Sequence, residues 1–336
     1  MKALVIEGPY KASIKDVKYP ECGQDDVVIK VKNVGVCGTD FHIYAGEFLS
    51  PYPIIPGHEF SGIIDRVGEG VKGFKPGDRV TADPSLFCGE CEPCLTHRGN
   101  HCKNWGALGN TVDGCFAEYV KVPARNVLKL PDGMSFETAA FVEPVACMVH
   151  GMNRLALKAA DRVLLFGAGA MGQQLVQALA HLGASELVVV DVDQKKLELA
   201  LEYGATKGVL SRDAEAVLGR EKYPDGFDVV IDATGIPAVV EKAFDYMGAM
   251  AKYLQFGVTP DTAKVQISPF KLYNRDWTIL GSMAINYTFI PAFNWIKEGR
   301  IKVNHLISKT ISLEEAVDFL SAPKSPDLMK VQIKID

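Results

Sequence analysis

Short β-branched runs separated by turn residues dominate the first part of the chain. Residues 27–32 and 62–67 are rich in valine and isoleucine and are bounded by glycine, proline and aspartate, a pattern typical of strands. Residues 75–78, Lys-Pro-Gly-Asp, have the chemistry of a tight turn and lead into another short run at 79–81. We therefore predict that the N-terminal part is rich in β-structure.

The pattern changes near Asp161, where apolar runs begin to alternate with segments of helical spacing. The runs at 163–166, 187–190 and 229–231 are fully apolar, as in central strands of a parallel sheet covered on both faces. Residues 171–182 have apolar positions at helical spacing and end at Gly183. Further strands are predicted at 253–256, 278–280 and 329–335, and further helices at 291–298 and 313–320. The second part is therefore predicted to have an α/β fold.

Composition excludes several classes of function. Hydrophobic residues make up 48% and charged residues 23% of the 336 positions, as in ordinary globular proteins. The net charge is −5 and no basic run is present, so nucleic acid is not an expected partner. No apolar stretch approaches a membrane span or a signal peptide. We expect a cytoplasmic protein whose eight cysteines are thiols or metal ligands rather than disulfides.

A glycine-rich segment predicts a dinucleotide site. Residues 167–172, Gly-Ala-Gly-Ala-Met-Gly, fit G-x-G-x-x-G, follow an apolar strand and open a helix, which is the context the motif requires. Asp191 ends the next apolar strand, where a carboxylate binds both ribose hydroxyls and repels a 2′-phosphate. This favours NAD over NADP. The predicted cofactor-binding residues are Gly167, Gly169, Met171, Gly172, Asp191 and Lys196.

Four cysteines in one short segment predict a structural metal site. Cys88, Cys91, Cys94 and Cys102 lie in C-x₂-C-x₂-C-x₇-C spacing, which suits one tetrahedral Zn²⁺ in an all-sulfur shell with no open position. Paired disulfides and unrelated buried thiols are the alternatives. Cys-x-x-Cys steps in a cytosolic protein argue against both.

A second set of possible ligands is scattered along the chain. Cys37, His58, Glu59 and Glu143 are each ordinary residues alone. Together they supply the thiolate, imidazole and carboxylate groups of an open catalytic zinc site, which keeps one position for water or substrate.

These motifs in this order resemble the zinc-containing medium-chain dehydrogenases along essentially the whole chain. The segments are Gly-His-Glu at 57–59 followed by Gly62, residues 67–71, residues 76–80, the four cysteines and the glycine-rich loop. The resemblance implies a GroES-like, β-rich catalytic domain, formed by residues 1–148 and 285–336, that binds zinc. It also implies a Rossmann domain at 149–284, with a doubly wound parallel sheet that binds NAD, and a homo-oligomer, most commonly a tetramer.

The glutamate at position 143 makes the chain resemble one branch of this family. Alcohol dehydrogenases have a cysteine where this chain has Glu143, whereas sorbitol (polyol) and threonine dehydrogenases have a glutamate. The resemblance implies catalytic zinc ligands Cys37, His58 and Glu59 with a water molecule, and Glu143 as an alternate ligand or a partner of that water. Which glutamate contacts the metal in the resting state stays open.

The resemblance also implies a proton relay and a substrate class. Thr39 would take the alcohol proton and pass it through the nicotinamide ribose to His42, while Asp40 is structural. We expect zinc- and NAD-dependent oxidation of a secondary hydroxyl of a small polyol to a ketose. L-Threonine 3-dehydrogenase, butanediol dehydrogenase and a dehydrogenase of phosphorylated polyols are the alternatives, as is a non-catalytic NAD-binding relative. Ala284 stands near the position of an arginine in sorbitol dehydrogenases, which argues against sorbitol itself.

Overall fold

A computed structural model describes residues 1–48, 50–322, 325 and 327–336. The chain forms two compact units. The first comprises Met1–Ala146, Ile285–Lys297 and Lys302–Asp336, and the second comprises Cys147–Ala284 and Glu298–Ile301. The sequence predicts domain boundaries after residues 148 and 284, and the chain changes unit after residues 146 and 284. No helix in the described ranges is long and apolar enough to cross a membrane.

Strands dominate the N-terminal part of the chain, and strands alternate with helices in the middle part. The N-terminal part contains β1 (Lys2–Gly8), β2 (Lys11–Asp16), β3 (Asp26–Gly35), α1 (Gly38–Ala45), β4 (Glu59–Val67), β5 (Arg79–Ala82), β6 (Ser85–Leu86), α2 (Glu92–Leu95), β7 (Gly106–Ala107), β8 (Tyr119–Pro123), β9 (Val127–Lys129), α3 (Phe136–Ala139) and α4 (Val142–Leu155). The middle part contains β10 (Arg162–Phe166), α5 (Ala170–His181), β11 (Glu186–Asp191), α6 (Gln194–Glu202), β12 (Lys207–Leu210), α7 (Ala214–Leu218), β13 (Phe227–Asp232), α8 (Pro237–Ala243), β14 (Met247–Gln255), α9 (Pro269–Asn274) and β15 (Thr278–Gly281). The C-terminal part contains α10 (Phe289–Lys297), β16 (Ile307–Ile311), α11 (Glu315–Ser321) and β17 (Lys330–Lys334).

The first unit is built on a sheet with the strand order β16-β17-β3-β4-β5-β9, and β8 also pairs with β3. Strand β3 alternates toward a buried core through Val27, Ile29 and Val31, as the period of a half-buried strand requires. Its last residue, Gly35, pairs with Glu59 of β4 on one side and with Gln332 of β17 on the other. The C-terminal strand is therefore brought next to the start of β4.

The second unit contains a six-stranded parallel sheet in the order β12-β11-β10-β13-β14-β15. The middle positions of its central strands are apolar and buried on both faces, as at Leu164, Val188 and Val230. The chain order reverses between β10 and β13. In doubly wound folds, ligands bind beyond the carboxyl ends of the strands at this reversal, and the glycine-rich segment directly follows β10.

Candidate active site

A buried aspartate links the two segments that carry the candidate ligands of the first unit. Cys37 is the N-cap of α1, and its backbone N–H donates to Oδ2 of Asp40 at 2.7 Å. The N–H of Gly57 donates to the other oxygen of Asp40 at 3.2 Å. Complete burial raises the pKa of the Asp40 carboxyl, although the backbone donors and His58 oppose the shift. The structural role that we predict for Asp40 is therefore to bond both segments and so to set the distance between Cys37 and His58.

Three donor side chains converge as a result. The Sγ of Cys37, a ring nitrogen of His58 and a carboxylate oxygen of Glu59 all lie within 4.8 Å of one another. His58 and Glu59 are buried. The Nδ1 of His58 has no hydrogen-bond partner and lies 3.8 Å from the Asp40 carboxylate. Thiolate, imidazole and carboxylate are the donors that zinc accepts in proteins, so these residues fit the predicted metal.

Glu143 lies close to this group without belonging to it. It is in the first turn of α4 and is buried, but its carboxylate is not among the donor atoms that lie within 4.8 Å of one another. Burial lowers the pKa of His58, yet the negative charges of Cys37, Asp40 and Glu143 prevail and hold that pKa well above its ordinary value. The same negative charges favour a cation at this position.

Lys330, which sequence analysis did not single out, contacts one of the three donors. Its Nζ lies 2.7 Å from both carboxylate oxygens of Glu59 and 3.3 Å from the carbonyl oxygen of Val36. Burial lowers the pKa of Lys330, but the charge of Glu59 outweighs this effect and raises the pKa overall. No local motif marks this lysine. Only the pairing of β17, β3 and β4 brings it to the site.

The two predicted relay residues lie in α1. The hydroxyl of Thr39 lies 3.7 Å from the Sγ of Cys37, next to the donor cluster. The Nδ1 of His42 lies 2.7 Å from the Glu47 carboxylate, and 35% of the His42 side chain is exposed. Thr39 therefore lies beside the candidate ligands, whereas the side chain of His42 is partly exposed to solvent.

The four cysteines of the second cluster form a compact group. Cys91 Sγ lies 3.5 Å from Cys94 Sγ and 3.8 Å from Cys102 Sγ, and Cys88 Sγ lies 3.9 Å from Cys94 Sγ. Four sulfurs bound to one zinc at about 2.3 Å would stand about 3.8 Å apart at the corners of a tetrahedron. All four are free thiols. Hydrogen bonds, of which that from the backbone N–H of Lys103 is the strongest, lower the pKa of Cys91 to about 6 and favour the thiolate that metals bind, whereas burial raises the pKa of Cys94.

Sequence analysis also missed Tyr287, whose contacts hold the four-cysteine segment in place. Tyr287 has a left-handed φ of 56°, which is rare for a bulky residue. Its hydroxyl donates to the carbonyl oxygen of Cys94 at 3.3 Å. Its ring packs edge-on against Phe87 and His97. Residues Ile285–Lys297, with which the chain returns to the first unit, therefore cover the four-cysteine segment.

The glycine-rich loop of the second unit has the geometry that the motif predicts. Gly167 has a φ of +101°, which favours glycine. A Cβ on Gly172 would lie 2.0 Å from the carbonyl oxygen of Gly167, whereas a Cβ on Gly169 would meet nothing within 4 Å. The Oδ2 of Asp191 accepts the N–H of Ala168 at 2.6 Å. The acidic residue is therefore bound directly to the loop, while Met171 lies in α5 and Lys196 in α6.

Fold and clusters together define the class of zinc-binding, dinucleotide-dependent dehydrogenases. Residues 23–132 match the model of the alcohol dehydrogenase GroES-like domain, and residues 170–298 match that of the zinc-binding dehydrogenases. The chain belongs to the zinc-containing medium-chain dehydrogenase family and is an alcohol oxidoreductase. The predicted family, fold class and enzyme class are confirmed.

Similar proteins have several substrates. D-Arabinitol dehydrogenase 1 of Uromyces fabae is 34% identical, over 99% of this chain and 97% of its own length. L-Threonine 3-dehydrogenase of Idiomarina loihiensis is 36% identical, over 74% of this chain and 75% of its own. Among solved structures, galactitol-1-phosphate dehydrogenase of Escherichia coli is 29% identical with a TM-score of 0.89, and the match covers both chains completely.

Two further solved structures contain dinucleotides. A structure described as a zinc-binding dehydrogenase of Sinorhizobium meliloti 1021 contains NADP. It is 36% identical, with a TM-score of 0.95 and 99% of each chain covered. An alcohol dehydrogenase of Escherichia coli CFT073 contains NADH. It is 30% identical, with a TM-score of 0.92 and with 100% of this chain and 99% of its own covered. At the level of the family, the predicted use of zinc and a nicotinamide dinucleotide is confirmed.

Proposed function

We propose that this chain oxidises a secondary hydroxyl of a small polyol to a ketone, with NAD as the hydride acceptor and zinc bound by Cys37, His58 and Glu59. The observation that carries the proposal is the convergence of these three donors within 4.8 Å, in the unit that matches the alcohol dehydrogenase GroES-like domain. A D-arabinitol dehydrogenase that aligns along 99% of this chain supports a polyol as the substrate.

Side chains of this protein transfer the proton that the alcohol loses in the reaction. When bound, zinc supplies Lewis-acid polarisation that lowers the pKa of an alcohol, and NAD accepts the hydride. Thr39, whose hydroxyl is 3.7 Å from Cys37 Sγ, accepts the proton of a hydroxyl held at the donor cluster and passes its own proton on. His42 delivers a proton to solvent, and its Nδ1 lies 2.7 Å from the Glu47 carboxylate.

Glu143 favours a substrate with more than one hydroxyl group. Its buried carboxylate accepts hydrogen bonds and donates none when ionised. A second hydroxyl on a neighbouring carbon can donate a further hydrogen bond to this carboxylate, whereas ethanol has no second hydroxyl to donate. Orientation of this kind can supply several kcal/mol of the barrier, up to about 7–11 kcal/mol in well-aligned intramolecular reactions. We therefore assign Glu143 to substrate orientation or to exchange with Glu59 at the metal.

The choice of NAD over NADP follows from Asp191. Its carboxylate is tied to the N–H of Ala168 in the glycine-rich loop at 2.6 Å and to the N–H of Asp193 at 3.0 Å. A fixed negative charge at this point repels a 2′-phosphate and accepts hydrogen bonds from ribose hydroxyls. Because the similar dehydrogenase structure from Sinorhizobium meliloti contains NADP, this preference has to be tested by measuring kcat/KM with both dinucleotides.

We also propose a cytoplasmic homo-oligomer, with a tetramer as the expected form. Strand β15 is at the end of the parallel sheet, and in the described residues it pairs only with β14. Ile279 of this strand is 42% exposed, and Tyr273, which precedes the strand, and Met250 of β14 are more exposed still. An unpaired apolar edge suits pairing with a second copy. Free thiols at all eight cysteines suit a reducing compartment.

The test is a side-by-side assay of the zinc-loaded protein. The substrates are D-arabinitol and other C4–C6 polyols, galactitol 1-phosphate, L-threonine, 2,3-butanediol and ethanol, each with NAD and with NADP. We expect the highest kcat/KM for an unphosphorylated polyol with NAD. The Cys37→Ser variant should lose activity and one zinc ion while remaining folded, whereas Cys22→Ser, which removes a thiol outside both clusters, should retain both.

Each outcome of this assay has a distinct meaning. A higher kcat/KM for L-threonine than for every polyol would transfer the enzyme to the branch of its 36%-identical relative. Preference for galactitol 1-phosphate would move it to phosphorylated substrates. Equal efficiency with NAD and NADP would contradict the role of Asp191. An active Cys37→Ser variant would disprove the metal assignment.

A further inference from the structure

Glu59 is one of the three candidate metal ligands, yet its carboxylate also forms an ion pair with Lys330, which lies outside the cluster. Both oxygens of Glu59 lie 2.7 Å from the Nζ of Lys330, and the carbonyl oxygen of Val36 lies 3.3 Å from the same Nζ. These three acceptors match the three protons of an ammonium group. The Lys330 side chain is 6% exposed and that of Glu59 is 3% exposed, so solvent screens the pair weakly.

The backbone between the two residues allows this contact. Gly35 of β3 pairs with Glu59 on one side and Gln332 on the other. A Cβ on Gly35 would lie 2.0 Å from Oε2 of Glu59. The carboxylate of Glu59 therefore lies over a bare α-carbon on its way to Lys330. Any side chain at position 35 would push it away.

We propose that Lys330 is a positioning residue that competes with the metal for Glu59 and makes this glutamate the exchangeable ligand of the candidate centre. The inference rests on the proposed function, because it assumes a divalent cation held by Cys37, His58 and Glu59. A cation beside a carboxylate reduces the negative charge that the carboxylate offers to a second cation, and the two cations repel each other. Lys330 thus weakens the hold of Glu59 on the metal.

The sign of one measurement separates this role from a structural one. If Lys330 competes with the metal, loss of its charge strengthens zinc binding and slows the departure of Glu59. If Lys330 only supports the ligand, its loss weakens zinc binding, by about 10–100-fold for outer-shell partners in general. Zinc affinity therefore rises in the first case and falls in the second.

The experiment compares Lys330→Met, which removes the charge, with Lys330→Arg, which keeps it. The zinc affinity of the site formed by Cys37, His58 and Glu59 is measured by competition with a chelator. Co²⁺ replaces zinc for visible spectroscopy. We expect affinity to rise at least about tenfold in Lys330→Met, as expected for removal of a buried like charge, and to stay near the parent value in Lys330→Arg. We also expect kcat to fall with KM for NAD unchanged. Added D-arabinitol should no longer shift the Co²⁺ bands of Lys330→Met.

A double-mutant cycle with Glu59→Gln tests whether Lys330 acts through Glu59. In the Glu59→Gln background, Lys330→Met should raise zinc affinity clearly less than in the parent background, because only the repulsion between the two cations is then relieved. An equal rise in both backgrounds would overturn the proposal, as would weaker zinc binding in Lys330→Met alone.

Folding is controlled with a second neutral variant, Lys330→Gln. Bound zinc compensates the charge of Glu59, so at least one neutral variant should fold in its presence, and failure of both to fold with zinc would also overturn the inference. Failure of the proposed function has a different signature. In that case the parent protein would bind one zinc ion and oxidise no alcohol, whatever Lys330 does.

Discussion

Two glycines of the loop after β10 differ in what a methyl group would meet, and this difference separates packing from dinucleotide binding. A Cβ on Gly172 would lie 2.0 Å from the carbonyl oxygen of Gly167, which is backbone and has little room to move. A Cβ on Gly169 would meet nothing within 4 Å, and the φ of this residue is −68°, which alanine adopts without strain. The two alanine variants should therefore fail in different ways.

Gly172→Ala should destabilise the second unit. Forcing an extra methyl group into a packed contact costs about 1–3 kcal/mol. Each kcal/mol lowers the Tm of a domain of this size by about 2–4 °C, so we expect a decrease of roughly 2–12 °C. Gly169→Ala should leave Tm within about 1 °C. It should weaken NADH binding at least about tenfold, or about 1.4 kcal/mol, because the methyl group occupies the space that a pyrophosphate needs.

Thermal unfolding without dinucleotide and a fluorescence titration with NADH measure the two effects separately. If Gly169→Ala binds NADH as the parent does, the dinucleotide does not approach this loop and the assignment of the second unit is wrong. If Gly172→Ala unfolds at the temperature of the parent, the close contact between α5 and the loop does not limit stability.

Three further predictions concern charge and metal. Cys94→Ser should lose one zinc ion and lower Tm, whereas Cys22→Ser should do neither. Metal analysis and thermal unfolding check this, and full zinc content in Cys94→Ser would contradict it. Asp191→Asn should raise the ratio of kcat/KM for NADP to that for NAD at least about tenfold by relieving repulsion, and an unchanged ratio would count against the ribose contact. Because the pKa of metal-free His58 is raised, bound zinc must displace a proton below that pKa. Chelator competition between pH 6 and 8 should show zinc affinity falling as pH decreases, and constant affinity would refute this.

Chemistry carried by local spacing could be predicted from the sequence. The four cysteines lie within one short segment, so their spacing alone restricts where the sulfurs can meet, and in the structure three pairs of sulfurs lie 3.5–3.9 Å apart. The glycine-rich loop and Asp191 follow consecutive strands of a parallel sheet, whose carboxyl ends lie at one edge. In both cases few conformations satisfy the pattern.

Chemistry that depends on strand pairing could not be predicted in the same way. Lys330 is separated from Glu59 by 271 residues, and an alternating strand at 329–335 gives no reason to select one lysine. The importance of Gly35 is equally hidden, because a glycine at a strand end suggests only a turn. Both become visible once the pairing of β17, β3 and β4 is known. Glu143 was selected by resemblance, and its role as ligand or partner remains a prediction.

The balance of charge explains why a distant lysine belongs to this site. As a thiolate and three carboxylates, Cys37, Asp40, Glu59 and Glu143 bring four negative charges into buried or half-buried surroundings, where unpaired charges are costly. Lys330 offsets one of them, and a divalent cation offsets two more. A centre that keeps a negative charge even with both cations present has no spare positive charge for a substrate that gives up its proton. Such a centre favours the departure of one carboxylate from the metal, and Glu59 is the carboxylate that already has another cation beside it.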